Sequence, residues 1–234
     1  MSTTQPLPRL GAVACFAGVV LLVVSTLLHP LNSDPSDAPA AFAEYAADPH
    51  YVWTHLGQFA GFVGLGTGLV AFAATFEAGR AAAWARVSVA GTVASIAVAT
   101  ALQAVDGVAL KATVDRWAGT TGEAHLLVYE VAHAVRQIEI GLAGFLSVLF
   151  GLTLLALSLA VLLSIGYPAW LGVIGFLDGL GMAAAGMAQV STGFSALAMT
   201  LSTLATSIFL VWMTLAGILM WRLASQSDRG RDTA

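Results

Sequence analysis

The chain has 234 residues, 58% of them hydrophobic and only 9% charged, with a mean hydropathy of +0.85 and a formal net charge of −4. An average soluble domain is about a quarter charged, so this chain lacks the polar surface of a water-soluble globule and its composition places it in a bilayer. The same numbers exclude disordered, collagen-like, coiled-coil and disulfide-stapled chains, and the acidic balance excludes a basic nucleic-acid-binding surface.

Six stretches reach the roughly 20 apolar residues needed to cross about 30 Å of hydrocarbon. They cover about 10–28, 55–76, 87–110, 136–164, 168–190 and 195–223. His29-Pro30 stops the first, since proline cannot continue a helix. Residues 130–137 form an amphipathic lead-in to the fourth, and Pro168 suits the first turn of the fifth. The prediction is an all-α, single-domain bundle over 1–234 with six transmembrane helices, a multi-pass protein of the cell membrane. Arg9, Arg80, Arg86, Arg222, Arg229 and Arg231 fall on one side, against Lys111, Arg116 and Arg136 on the other, so both termini are expected in the cytoplasm. Trp84, Tyr167, Trp170 and Trp221 mark that boundary; Tyr51, Trp53 and Tyr129 mark the outer one. A signal peptide cleaved near Ala38-Pro39-Ala40 is the competing reading of the first span. Its apolar core is longer than the usual 7–15 residues and Arg9 is its one positive residue, so retention is expected.

Between the spans, residues 30–54 form the longest outer segment, with 38–47 expected as a short surface helix. Lys111 and Asp115 are spaced to pair on a helical extension of span three. Lys111 is the lone lysine, so a Schiff-base lysine in mid-membrane is absent. Cys15, the single cysteine, makes no internal disulfide and reads as a small core hydrophobe. Span two carries Gly57, Gly61, Gly64, Gly66 and Gly68; span five carries Gly172, Gly175, Gly179, Gly181 and Gly186. Such residues let helix backbones approach within the bundle, in a homo-oligomer or against a membrane partner. The likeness of Gly61-Phe62-Val63-Gly64-Leu65-Gly66 to 175–181 also fits an inverted repeat of three plus three spans.

Polar residues inside an apolar span are the candidates for function. Asp178 lies near the middle of span five, where Ser147, Thr153, Thr203 or Thr206 are candidate partners. At the outer span ends stand His29, His55, Gln58, Gln103, Asp106, Glu130, His133, Arg136, Gln137 and Glu139. Gln103 and Asp106 share a helix face, as do Glu130, His133 and Gln137. A polar chamber is expected from His55, Gln58, Gln103, Asp106, Glu130, His133 and Gln137. His29, His55 and His133 are the candidate ligands for a haem or divalent metal. Glu130-x-x-His133 matches half of a carboxylate di-iron motif, and the second half is absent. No nucleophile elbow, zincin pair, P-loop or haem-attachment motif is present, and no catalytic residue is assigned.

Thr54-His55-Leu56-Gly57-Gln58-Phe59, Leu102-Gln103-Ala104-Val105-Asp106-Gly107-Val108-Ala109-Leu110-Lys111 and Tyr167-Pro168-Ala169-Trp170-Leu171-Gly172 resemble segments of a group of bacterial multi-span membrane proteins of unknown function. The resemblance implies six membrane helices and no chemistry. The reading expected from the residues is a small transporter or permeation protein, more in keeping with a non-enzyme, with an outward-facing chamber and Asp178 as its deeper protonatable group. The alternatives are a haem- or metal-binding redox protein or hydrolase, and an accessory subunit of a membrane complex.

Overall fold

A computed structural model describes residues 6–232, with side chains over 7–226. The elements run α1 (Pro6–Leu27), α2 (Ala38–Ala47), α3 (Tyr51–Ala73), α4 (Gly79–Ala104), a π-helical segment (Val105–Leu110), α5 (Lys111–Ala118), α6 (Gly122–Leu162), α7 (Ala169–Thr192) and α8 (Ala196–Asp232). Among the described residues there is no strand. Six helices are long and apolar enough to cross a membrane: α1, α3, the run from α4 through α5, α6, α7 and α8.

Three of these helices outrun the apolar stretches that predict them. The third starts at Gly79 and continues to Ala118, the fourth starts at Gly122 rather than 136, and the sixth continues to Asp232. Hydropathy marks only the part of a helix that suits lipid. Polar turns keep their backbone hydrogen bonds wherever water solvates the side chains, so a helix runs on until the backbone breaks it. Gly122 opens α6 at φ +63, and Gly193 closes α7 at φ +62 while its N–H bonds Gln189 O at 2.8 Å. Only glycine enters that left-handed region at no steric cost.

At 41 residues, α6 is about 60 Å long at 1.5 Å per residue, twice the apolar thickness of a bilayer. Its N-terminal part stands beside α2 and α5 as a cap on one end of the bundle. The cap has its own small core of Phe42, Tyr45, Tyr51, Leu110, Val114 and Ala132. Asp37 caps α2 by accepting from Ala40 N. At the other end of α2, Lys111 Nζ donates to the carbonyls of Tyr45 and Ala46 at 3.0 Å each, besides pairing with Asp115 at 2.6 Å. The expected Lys111–Asp115 link therefore does more than pair charges: it ties α2 to the extension of span three, a cation at a helix C-terminus.

The main core runs through the bundle on Leu65, Phe72, Leu154, Leu157, Trp212 and Met213, with Trp212 Nε1 donating to Leu171 O at 2.8 Å. Glycines set the closest helix approaches. On α3, Gly61 and Gly64 lie against the α1 backbone at Leu22 and Gly18; on α7, Gly179 and Gly186 lie against α6 at Gly151 and Gly144. These faces pack within the chain. A Cβ on Gly151 meets Gly179 O at 2.6 Å and Ala183 N at 2.8 Å, whereas one on Gly141, ten residues earlier on α6, meets nothing within 4 Å. Gly151→Ala is therefore expected to lose about 1–3 kcal/mol by overpacking. Gly141→Ala is expected to gain up to about 1 kcal/mol from helix propensity. Unfolding of the two variants in detergent, followed by circular dichroism, checks the opposite signs.

Candidate functional site

Tyr51 and His55 stand one turn apart on α3, fully and almost fully buried. The His55 Nδ1 lies 2.7 Å from Tyr51 O. A carbonyl oxygen only accepts, so Nδ1 carries the hydrogen, and in the neutral imidazole Nε2 presents a lone pair. That Nε2 faces Asp106 Oδ2 at 3.0 Å, without the alignment of a hydrogen bond. The other carboxylate oxygen, Oδ1, accepts from the Tyr51 hydroxyl at 2.6 Å.

Asp106 owes its place to the π-helical turn that interrupts the third span. One extra residue per turn widens the helix and re-aims its side chains, a device concentrated at functional sites. The turn also needs Gly107, because a Cβ there would sit 2.4 Å from the His55 Cβ. His29, just past the end of α1, completes the cluster. Its Nδ1 donates to Pro30 O at 2.8 Å, leaving Nε2 free of that bond, and its ring packs on those of Tyr45, Tyr51 and His55. Burial pushes the His29 imidazole below its ordinary value, against an upward pull from Asp106. One ring nitrogen from each histidine and one Asp106 oxygen lie within 4.8 Å of one another. The two histidine rings meet edge to face at 5.1 Å, which leaves no slot between them for a porphyrin.

Beside the cluster, Arg136 and Glu139 are both buried, 3.8 Å apart on α6. Arg136 donates to Pro35 O and its guanidinium lies 4.8 Å from the Phe194 ring, so it pins the segment after α1 onto α6. A cavity of about 330 Å³ continues from Asp106 into the bundle, with Gln58, Gln103 and Glu139 at that end and Phe62, Phe150 and Phe209 further along.

Of the predicted chamber residues, the structure brings His55, Gln58, Gln103 and Asp106 together, and His29 joins them. Glu130 and Gln137 are exposed. His133 is half-buried, stacked on Tyr129 at 5.9 Å and 3.4 Å from Gln137 Nε2. These three residues lie outside both the cavity lining and the histidine–aspartate cluster. Glu130, His133 and Gln137 share one face of α6, but it is Arg136 and Glu139 that the helix turns inward. Sequence reasoning placed Tyr51 in an aromatic belt and gave Tyr45 no role. The available signal was the four-residue spacing of Tyr51 and His55, which stacks them on one face.

Asp178 is buried on α7 with neither oxygen bonded. It borders a second hollow, almost wholly apolar, between α7 and α8 at Leu177, Gly181, Leu204 and Ile208. Of its expected partners, Thr153 bonds Leu149 O instead, and Ser147 and Thr206 line the central cavity.

No family model matches the chain, and no curated protein or solved structure matches it.

The segment that carries His29 is held by Glu44 on α2, whose carboxylate accepts from Asn32 N, Asn32 Nδ2 and Ser33 N at 2.7–3.0 Å. Burial, the largest single influence, pushes the carboxyl up, but the hydrogen bonds from Asn32 and Ser33 together outweigh it, and the carboxyl falls to about 2 from an ordinary 4.5. A depressed carboxyl stabilises the fold above its unfolded value and loses that effect as pH falls through its folded value. The group is mostly solvated, so the effect belongs to the loop rather than to the whole fold. The Asn32 and Ser33 amides are expected to stay protected from hydrogen exchange at pH 4.5 and to lose protection toward about pH 2. In Glu44→Ala, which removes both acceptor oxygens, they are expected to be unprotected across that range.

Proposed function

We propose that the protein is a multi-pass membrane protein that holds a divalent transition metal, zinc by preference, on His29, His55 and Asp106. Both termini lie in the cytoplasm by the distribution of arginines, so the metal end faces outward. The observation that carries this reading is the paired orientation of the two imidazoles. Each gives Nδ1–H to a backbone carbonyl, the arrangement that fixes the tautomer and aims Nε2 at a metal. Tyr51 does the same for the carboxylate, engaging Oδ1 and leaving Oδ2. In a tetrahedral zinc site with bonds of about 2.0–2.1 Å, neighbouring ligand atoms are about 3.3 Å apart. The 3.0 Å between His55 Nε2 and Asp106 Oδ2 calls for a cation between them, a proton or a metal ion, and is close to the spacing of two ligands on one ion. Three protein ligands leave a fourth position open, the pattern of sites that exchange a water or substrate rather than of closed structural ones. A metal there supplies Lewis acidity. The chain's own residues fix its ligands, exclude bulk water through the α2 cap, and offer a cavity beside it.

Protein purified without chelator is expected to carry about one zinc per chain by elemental analysis. His55→Ala and Asp106→Asn are expected to lose it, and Tyr51→Phe, which touches the ligand rather than the metal, to weaken it about 10–100-fold. Metal-free protein that takes up no zinc on titration sinks the proposal.

Asp178 favours a second reading, a proton-linked small transporter. A carboxyl with no bonded partner in an apolar hollow is a group whose protonation and release can be coupled to movement. In proteoliposomes with an imposed pH gradient, proton flux reported by an internal dye is expected to depend on Asp178 and to vanish in Asp178→Asn. Equal flux in both removes that role.

A further inference from the structure

The central cavity lies on none of the three metal-binding residues except Asp106, and its chemistry identifies a ligand of its own. Every one of the six long helices contributes to its wall. Along α6 the wall runs from Glu139 to Phe150, about 16 Å at 1.5 Å per residue, so the space is elongated along the bundle. Its two ends differ. At the capped end, Gln103 and Glu139 are at least nine-tenths buried, and Gln103 Oε1 and Glu139 Oε2 have no hydrogen-bond partner. The rest of the wall is mostly apolar, with Leu146, Phe150, Met182 and Phe209, interrupted by the hydroxyls of Ser147, Ser202 and Thr206.

The unpartnered oxygens of Gln103 and Glu139 have one character, and the other bare atom of the lining, Ser202 Oγ, is a hydroxyl that donates or accepts. An amide oxygen and a carboxylate oxygen are acceptors, and Asp106 adds a second carboxylate. The nearby positive group, Arg136, is outside the lining: one guanidinium nitrogen donates to Pro35 O, and the other stands 3.8 Å from Glu139 Oε2, an ion pair too long to be a hydrogen bond, so it offsets charge there and leaves the oxygen without a donor; His55 faces Asp106 from α3. A buried acceptor left bare costs more than the same site filled with a donor, so the head that satisfies this end brings N–H or O–H groups and no negative charge. The length and apolar wall behind it suit a single alkyl chain.

We infer that this cavity binds a single-chain amphiphile with a hydrogen-bond-donating head, an ammonium or hydroxyl group, lodged at Gln103 and Glu139 with its chain running toward Phe150. The inference goes beyond the metal reading and does not need the metal. Glu139 accepts from the head, Gln103 fixes its register, and the phenyl rings enclose the chain, while a carboxylate head brings acceptors only, leaves Gln103 Oε1 and Glu139 Oε2 bare and is disfavoured.

The test uses full-length protein in phosphatidylcholine nanodiscs, treated with chelator so that the outcome is separate from metal binding. A diazirine-bearing dodecylamine is photocrosslinked and the labelled residues are located by mass spectrometry. Saturable labelling on Phe62, Phe150 or Phe209 is expected, competed by unlabelled dodecylamine and dodecanol, and at least about tenfold less by dodecanoate. Glu139→Gln removes the charge and keeps an acceptor, so it is expected to weaken dodecylamine while sparing dodecanol. Ala205→Phe, which fills the space, is expected to abolish labelling; Gln103→Leu, a milder change, is expected to reduce it at least about fivefold. Labelling that does not saturate and falls on outward residues such as Leu177 and Val173, exposed at 63% and 48%, overturns the site. Equal competition by dodecanoate overturns the head chemistry.

Discussion

The site depends on a juxtaposition that is unfavourable as it stands. His55 Nε2 and Asp106 Oδ2 face one another at 3.0 Å inside a protein, and the His55 hydrogen is already given to a carbonyl at Nδ1. Two lone pairs at that separation repel, in surroundings where little solvent screens them. The arrangement is stable when a cation lies between them, as a proton that makes the ring an imidazolium or as a metal ion. The histidine and the aspartate come from different spans. Their apposition is therefore fixed by the packing of α3 against the third span, and local relaxation of either side chain does not remove it.

Several features of the chain hold that apposition in place. The π-helical turn re-aims Asp106, and Gly107 removes the Cβ that would collide with His55. The cap supplies the rest. Lys111 fastens α2 by its C-terminal carbonyls, Glu44 fastens the segment bearing His29, and Arg136 fastens Pro35. Each of these is a charged group meeting backbone amides or carbonyls, the stronger class of hydrogen bond. The cap is thus built from charges whose partners are backbone, and that backbone carries the histidine and covers the aspartate.

The sequence makes the architecture legible because the composition lacks the charge of an average soluble domain, and apolar runs of bilayer length locate all six helices long and apolar enough to cross a membrane. The short helix at 38–47 is readable from its polar punctuation and coincides with α2. Helix ends are less legible, because hydropathy does not register polar turns at 111–118 and 122–135 that remain helical. Of the candidate residues, His55, Gln58, Gln103 and Asp106 converge, and the spacing of Gln103 and Asp106 on one face is visible beforehand. His133 is different: its helix face is readable, but which face of α6 turns inward is decided by Arg136 and Glu139, whose burial runs against the usual rule for charged residues. Tyr51 looks like an interfacial aromatic until its hydroxyl is seen on Asp106. The π-helical turn leaves no mark in hydrophobic periodicity, so the group it positions is identifiable by type and not by geometry.

The buried polar groups divide by whether structure already accounts for them. Trp212 bonds a neighbouring helix, Ser88 and Thr92 return their hydroxyls to their own helix, and Arg136 anchors a loop. Removing any of these leaves an identifiable donor or acceptor without its partner. Among the described residues, His55, Gln103, Trp117, Glu139, Ser158, Asp178 and Ser202 have a buried atom without a hydrogen-bond partner, as does the second guanidinium nitrogen of Arg136. A half-satisfied polar group is worse for stability than an apolar one of the same shape. Leucine or methionine would serve these positions better if packing were their only task. Gln103, Glu139 and Ser202 line one cavity, His55 stands in the histidine–aspartate cluster beside it, Arg136 lies against Glu139, and Asp178 borders a separate hollow; Trp117 and Ser158 belong to neither. Most of the stability forgone therefore lies where there is space for something else to enter, which is the distribution expected when missing partners are ligands.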